Sequence, residues 1–154
     1  MAGLAVLALA EQIKCTSSNR FHIPNLRANW HRATEYCFSL GMQLAIADSE
    51  EDHTKMVKFI SESEVYNNES TVVWIGASDL AQEGVFYWHA SGQRLRYTNW
   101  RSDNPDDFGG QEDCVNLVNI PASGWHWHAN DAGCIAAHYF ICENVHPKQA
   151  IELF

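Results

Sequence analysis

Apolar positions recur at helical steps twice in the first half of the chain and at strand-like steps after residue 70. From Asn29 onward Trp30, Ala33, Cys37 and Leu40 fall three and four residues apart, which is one face of a helix, and Gly41 supplies its stop. Cys37 sits on that stripe and is expected to face the core. A second stripe, His53, Met56, Val57 and Ile60, follows Ser49, which forms a capping-box-like start with Asp52 three residues on. Phe21-His22-Ile23 predicts a short strand ended by Pro24, and the alternation over 42–46 predicts a strand or extended link. Beyond Thr71, β-branched and aromatic runs predict strands over 71–75, 85–88, 114–120 and 136–143, with a weak one over 95–98. Residues 61–70 and 121–133 read as loops, the second carrying Trp125 and Trp127. Helices first and strands afterwards indicate an α+β domain.

One stretch obeys neither period. Trp100 to Cys114 reads WRSDNPDDFGGQEDC, with five carboxylates (Asp103, Asp106, Asp107, Glu112, Asp113), Pro105 and the pair Gly109-Gly110. Like charges repel there unless something neutralises them, and proline and glycine break regular structure. The bland account is a solvated acidic turn. The sharper one is a hard cation held by oxygen ligands, of which calcium is the usual extracellular example.

Composition narrows the choice. The 154 residues suit one domain, and a formal net charge of -9 argues against nucleic acid or an anionic membrane surface as main partner. No apolar run is long enough to span a bilayer. Cysteines at 15, 37, 114, 134 and 142 form no CxxC pair, so disulfides in an oxidising compartment fit better than zinc. The apolar start, residues 1–10 ending in Ala8-Leu9-Ala10, resembles a signal peptide, which predicts a secreted, extracellular protein maturing near Glu11. Residues 11–20 are polar. Asn68-Glu69-Ser70 is a glycosylation sequon, meaningful if the chain is secreted. No Gly-rich phosphate loop, HExxH or clear Ser-His-Asp order is present, so an enzyme is not expected.

Several short patterns, in order, carry a family resemblance: the helix ending at Cys37, Trp74-Ile75-Gly76, Asn104-Pro105-Asp106, Glu112-Asp113-Cys114, Asn130-Asp131 and Phe140-Ile141-Cys142. The chain resembles the C-type lectin domain, the calcium-dependent carbohydrate-recognition fold, over residues 21–143, with 144–154 as a tail. The resemblance implies the disulfides Cys37–Cys142 and Cys114–Cys134, each worth roughly 3 to 5 kcal/mol in the chain-entropy model. Cys15 is left over, a candidate for an interchain bond and hence an oligomer.

The resemblance also implies a ligand set. Asn104, Asp106, Glu112, Asn130 and Asp131 match the family's sugar-binding calcium site. Asp79, Glu83, Asp107 and Asp113 match its auxiliary calcium site. Side chains flanking Pro105 share a direction if the preceding bond is cis, as in the family, although only about 5–6% of X-Pro bonds are cis. Mannose-type members carry Glu-Pro-Asn here and galactose-type members Gln-Pro-Asp. This chain has Asn104-Pro105-Asp106, with the amide first and the carboxylate second, as in the galactose type. An amide can donate to a sugar hydroxyl, whereas a carboxylate only accepts. Phe108 stands where galactose-type members place an aromatic ring against the sugar. The sugar contacts expected are thus Asn104, Asp106, Glu112, Asn130 and Phe108.

Two departures stand out. Ala129 replaces the tryptophan that usually precedes Asn-Asp, with Trp125 and Trp127 earlier, so the loop is expected to run differently. His126 and His128, between and after them, are read as packing residues rather than metal ligands. The function implied is a secreted, calcium-dependent lectin of galactose or N-acetylgalactosamine type, its partners the glycans of cell-surface or microbial glycoconjugates. The alternative is a C-type lectin-like domain that binds a protein ligand without sugar.

Overall fold

The computed structural model describes residues 19–145; residues 1–10, Cys15, nearly all of 11–20 and the tail beyond Val145 lie outside them. Helix α1 (Trp30–Ser39) starts at Asn29, whose side chain accepts from the Arg32 N–H, and buries Trp30, Ala33, Thr34 and Cys37. Leu40 caps it and Gly41 follows at φ 69°. Helix α2 (Glu50–Ser61) starts at Ser49, whose side chain accepts from the Asp52 N–H. Three acids in its first turn and Lys58 in its last complement the helix dipole, and Met56 and Ile60 are its buried anchors.

Strands form two sheets. In the smaller, β8 (Cys142–Asn144) lies between β1 (Phe21–His22) and β2 (Met42–Leu44), antiparallel to both. The larger has the order β4 (Tyr87–Trp88), β3 (Thr71–Ser78), β5 (Cys114–Ile120), β6 (Trp125–Ala132). A short β7 (Tyr139–Phe140) runs parallel to β3 at Val73 and Trp74. The disulfide Cys37–Cys142 ties α1 to the small sheet, and Cys114–Cys134 closes the base of β5.

The strand expectations need five corrections. The strand from Thr71 continues through Gly76 to Ser78. The one over 85–88 shrinks to Tyr87–Trp88. The one over 136–143 divides at Ile141, because β7 joins the large sheet and β8 the small one. Residues 95–98 form no strand. Asp48 organises that segment instead, accepting from the Arg96 N–H at 3.0 Å, Arg96 Nε at 2.9 Å and Trp88 Nε1 at 3.1 Å.

The fifth correction matters most. Residues 121–133 are not a loop: after a 3-10 turn at Pro121–Ser123 they form β6, paired with β5 along its length. Val118 pairs with His128 but Asn119 pairs with His126, so Trp127 is an extra residue, a bulge at φ 57°. The extra residue resets the in-out alternation and hides the strand from a period-two reading.

The Trp74-Ile75-Gly76 motif is explained residue by residue. Trp74 Nε1 donates to the carbonyls of Ala28 and Ala136 at 3.1 and 3.2 Å. The Ile75 carbonyl accepts from Trp30 Nε1 at 2.9 Å. Gly76 donates to the Ala45 carbonyl at 2.9 Å, and a Cβ there would stand 2.7 Å from the Leu44 carbonyl oxygen. The chain leaving β2 therefore crosses the large sheet at the one residue without a side chain. Glu143 is buried in the small sheet, where Arg20 at 2.9 Å and the Ile46 N–H at 3.3 Å meet its charge. Arg20 also reaches Asp52 of α2 at 2.8 Å.

Gly76→Ala should therefore destabilise the domain by about 1–3 kcal/mol, since backbone rather than a flexible side chain must move. A urea midpoint equal to wild type would show that the crossing is not tight.

Candidate cation and sugar site

The long excursion between β4 and β5 returns against the outer strand of the large sheet. The Ala129 N–H donates to the Asn99 carbonyl at 2.8 Å, and the Arg101 N–H donates back to the Ala129 carbonyl at 3.4 Å. Ala129 is fully buried between these bonds. Two residues on, Asp131 is 1% exposed, and its carboxylate accepts from the Asp106 N–H at 3.1 Å and the Asp107 N–H at 2.7 Å. Asp107 turns the chain in the left-handed region, at φ 42°, and accepts from the Glu112 N–H at 3.1 Å. Glu112 in turn accepts from the Phe108 N–H at 3.1 Å. The acidic side chains thus hold their own loop together through its backbone donors, and Gly109 and Gly110, both at positive φ, let it turn.

This folding gathers Asp106, Glu112 and Asp131, whose oxygens lie within 4.8 Å of one another. The peptide bond between Asn104 and Pro105 is cis. Asn104 Oδ1 is buried without a hydrogen-bond partner, while its Nδ2 donates to Asp103 at 3.4 Å. Asn130 donates its amide to Asn116 at 3.4 Å, which leaves the amide oxygen for a cation. Burial pushes the Glu112 carboxyl up, and the charges of Asp131 and Asp106 push it further, against the Phe108 N–H.

A second group forms from Asp79, Glu83 and Asp113, again within 4.8 Å. Asp79, 2% exposed, follows β3, and its Oδ2 accepts from the Gly84 N–H at 2.8 Å. Its Oδ1 is buried without a partner. Burial and the charge of Asp113 raise Asp79. Glu83 is pushed up to about 7 by desolvation and then by Asp79, Asp107 and Asp113. Asp107 is close enough to act on Glu83 but lies outside the tight group of three.

Each group therefore combines crowded carboxylates with a buried oxygen that nothing satisfies, Asn104 Oδ1 in one and Asp79 Oδ1 in the other. Uncompensated like charges and an orphaned acceptor are both relieved by a hard cation with oxygen ligands. The donor set is all oxygen, so calcium fits both places.

Phe108 is 79% exposed beside the first group, and Asn68 is exposed in its loop. Trp125 carries the Arg101 guanidinium over its ring at 4.4 Å. Trp127 packs half-buried against the core and stacks on Tyr66 at 6.2 Å. Among the described residues, neither His126 nor His128 joins a group of three metal-capable side chains. Sequence reasoning missed Asn116, 2% exposed, which orients Asn130. An asparagine inside the otherwise apolar strand CVNLVNI was the available signal.

Comparison with known proteins follows the same lines. The family model for the Lectin C-type domain matches residues 26–144. Salivary C-type lectin 1 of Aedes albopictus is 39% identical over 142 residues, covering 92% of this chain and 92% of that protein. C-type lectin 16 of Aedes aegypti is 40% identical over 134 residues, covering 87% of each. The C-type carbohydrate-recognition domain of cow CD23, solved in the presence of GlcNAc2Man3 oligosaccharide, is 28% identical. It aligns with a TM-score of 0.66 over 82% of this chain and 87% of that one. A family match across most of the chain, with mosquito relatives aligned over nearly their whole length, shows that this chain belongs to the C-type lectin family.

Proposed function

We propose that this lectin is secreted, depends on calcium, and prefers galactose or N-acetylgalactosamine to mannose. The observation that carries the reading is the partnerless, buried Asn104 Oδ1, across Pro105 from Asp106, whose oxygens lie within 4.8 Å of those of Glu112 and Asp131. Asn104, Asp106, Glu112, Asn130 and Asp131 would hold one calcium ion, and Asp79, Glu83 and Asp113, with Asp107 beside them, a second. Calcium bound at the first place supplies a cation with coordination positions that two neighbouring sugar hydroxyls can fill.

The protein's own groups then select the sugar. Asn104 has a donor amide, held by a long 3.4 Å bond to Asp103 and so readily exchanged for a hydroxyl. Asp106 presents acceptors only. Phe108, almost fully exposed, offers a flat apolar face to a pyranose. Secretion is supported by two disulfides among the described residues, by the exposed sequon at Asn68 and by relatives named as salivary lectins. Cell-surface or microbial glycans are the partners this reading implies.

A glycan array in calcium should show galactosides bound and mannosides not bound, with all signal lost in chelator; mannose binding without galactose binding defeats the specificity. Asp106→Ala should abolish sugar binding and weaken calcium at least about tenfold by calorimetry, with thermal unfolding in chelator within a few degrees of wild type. Chelator-sensitive binding retained at wild-type strength would remove Asp106 from the site.

The second group has its own signature in pH. A carboxyl raised in the folded state costs stability once ionised, so the penalty is absent below about pH 4.5 and complete above about 7 for Glu83. In chelator, Glu83→Gln should therefore melt above wild type at pH 7.5, the advantage shrinking towards zero as pH falls through that window. In millimolar calcium at pH 7.5 the order should reverse. A pH-independent difference between the two proteins would show that Glu83 does not sit among these charges.

A further inference from the structure

A cleft of about 360 Å³ opens beside the sugar site, lined by Gly84, Phe86, Arg94, Leu95, Trp100 and Pro105. Pro105 joins it to Asn104 and Asp106. Gly84 joins it to the second acidic group through the bond to Asp79. Its walls are firm: Phe86, Leu95 and Trp100 are each half-buried against the main core, and the Phe86 and Trp100 rings meet at 5.1 Å and 64°. Aromatic walls of this kind suit the C–H face of a sugar ring.

Arg94 marks what else the cleft takes. Its side chain is exposed and has no ion-pair or hydrogen-bond partner among the described residues. Every other arginine described is engaged: Arg20, Arg32, Arg96 and Arg101 in ion pairs, and Arg27 over the Tyr139 ring. In a chain of net charge -9, a guanidinium left unpaired at the edge of an aromatic cleft is an open fork for an anion.

We propose that the cleft is a second glycan subsite, taking a sugar unit with a carboxylate or sulfate group next to the unit held at Asn104 and Asp106. It rests on the sugar-binding reading above and deepens it to acidic galactosides. The ring of the second unit lies on Trp100 and Phe86, and its anionic group meets Arg94.

The test is calorimetry in calcium with galactose, a neutral galactosyl disaccharide, and its sulfated and sialylated counterparts, on wild type, Arg94→Gln and Arg94→Lys. Wild type should bind at least one acidic ligand about 5–20-fold more tightly than the neutral disaccharide, consistent with a charge-assisted contact. Arg94→Gln should erase that gain while leaving galactose and calcium affinity unchanged, and Arg94→Lys should restore part of it. Whichever acid gains identifies the substituent. A gain from neither acid, or an equal loss of neutral and acidic ligands in Arg94→Gln, overturns the subsite while the primary site stands. A protein that binds none of the four in calcium defeats the sugar reading and the subsite with it.

Discussion

A buried carboxylate organises the recognition end of this molecule. Asp131 is nearly inaccessible, and the two backbone donors it holds belong to Asp106 and Asp107, the most acidic part of the loop. Without those bonds the carboxylate-rich turn of the excursion between β4 and β5 would lose its anchor on β6. With them, Asp107 and Glu112 fall into reach of further N–H groups, and each carboxylate fixes the next turn. The loop's order is therefore built from the same oxygens that crowd together in the two acidic groups. That couples loop shape to the packing of the carboxylates, because a group that gives its lone pairs to backbone donors also presents the others outward.

The rest of the domain supplies a rigid back for this end. Gly76 lets the chain leaving β2 cross the large sheet at van der Waals distance, and the two disulfides tie α1 and the base of β5 to their neighbours. Asp48 does for the 90–100 region what Asp131 does for the loop. Burial works against its charge, but the Arg96 backbone, Trp88 and the Arg96 guanidinium outweigh it and hold the carboxyl below its ordinary value. Two acids, each satisfied by donors far away in sequence, thus anchor irregular backbone between β4 and β5 at Arg96 and at Asp106–Asp107.

Much of this was legible in the sequence, for physical reasons that differ by element. Both helices announced themselves because burial on one face forces apolar residues to every third or fourth position, and Asn29 and Ser49 have the side chains that capping needs. The oxygen-bearing residues singled out through the family resemblance do come together in part: the fold gathers Asp106, Glu112 and Asp131, and separately Asp79, Glu83 and Asp113, each within 4.8 Å. Strand β6 was not legible, since the extra residue at Trp127 shifts every side chain beyond it to the other face of any simple alternation. Segment 95–98 looked weakly strand-like but finds a side chain, Asp48, rather than a partner strand. Asn116 and Arg94 were invisible for another reason: their importance lies in what they do or do not touch, which no local pattern records.

The bulge at Trp127 has a consequence for behaviour at high protein concentration. β6 is the last strand of its sheet, so its outer backbone would be a template on which a second molecule could add a strand. Here that rim is spent. Ala129 is bonded on both its N–H and its carbonyl to the incoming loop, and the Trp127 carbonyl, swung out of register, is taken by His53 Nε2 at 2.9 Å and Asn99 Nδ2 at 3.4 Å. The irregularity that disguises the strand also blunts it as a seed for fibrils, so the protein can display an edge-mounted recognition loop without displaying a sticky edge.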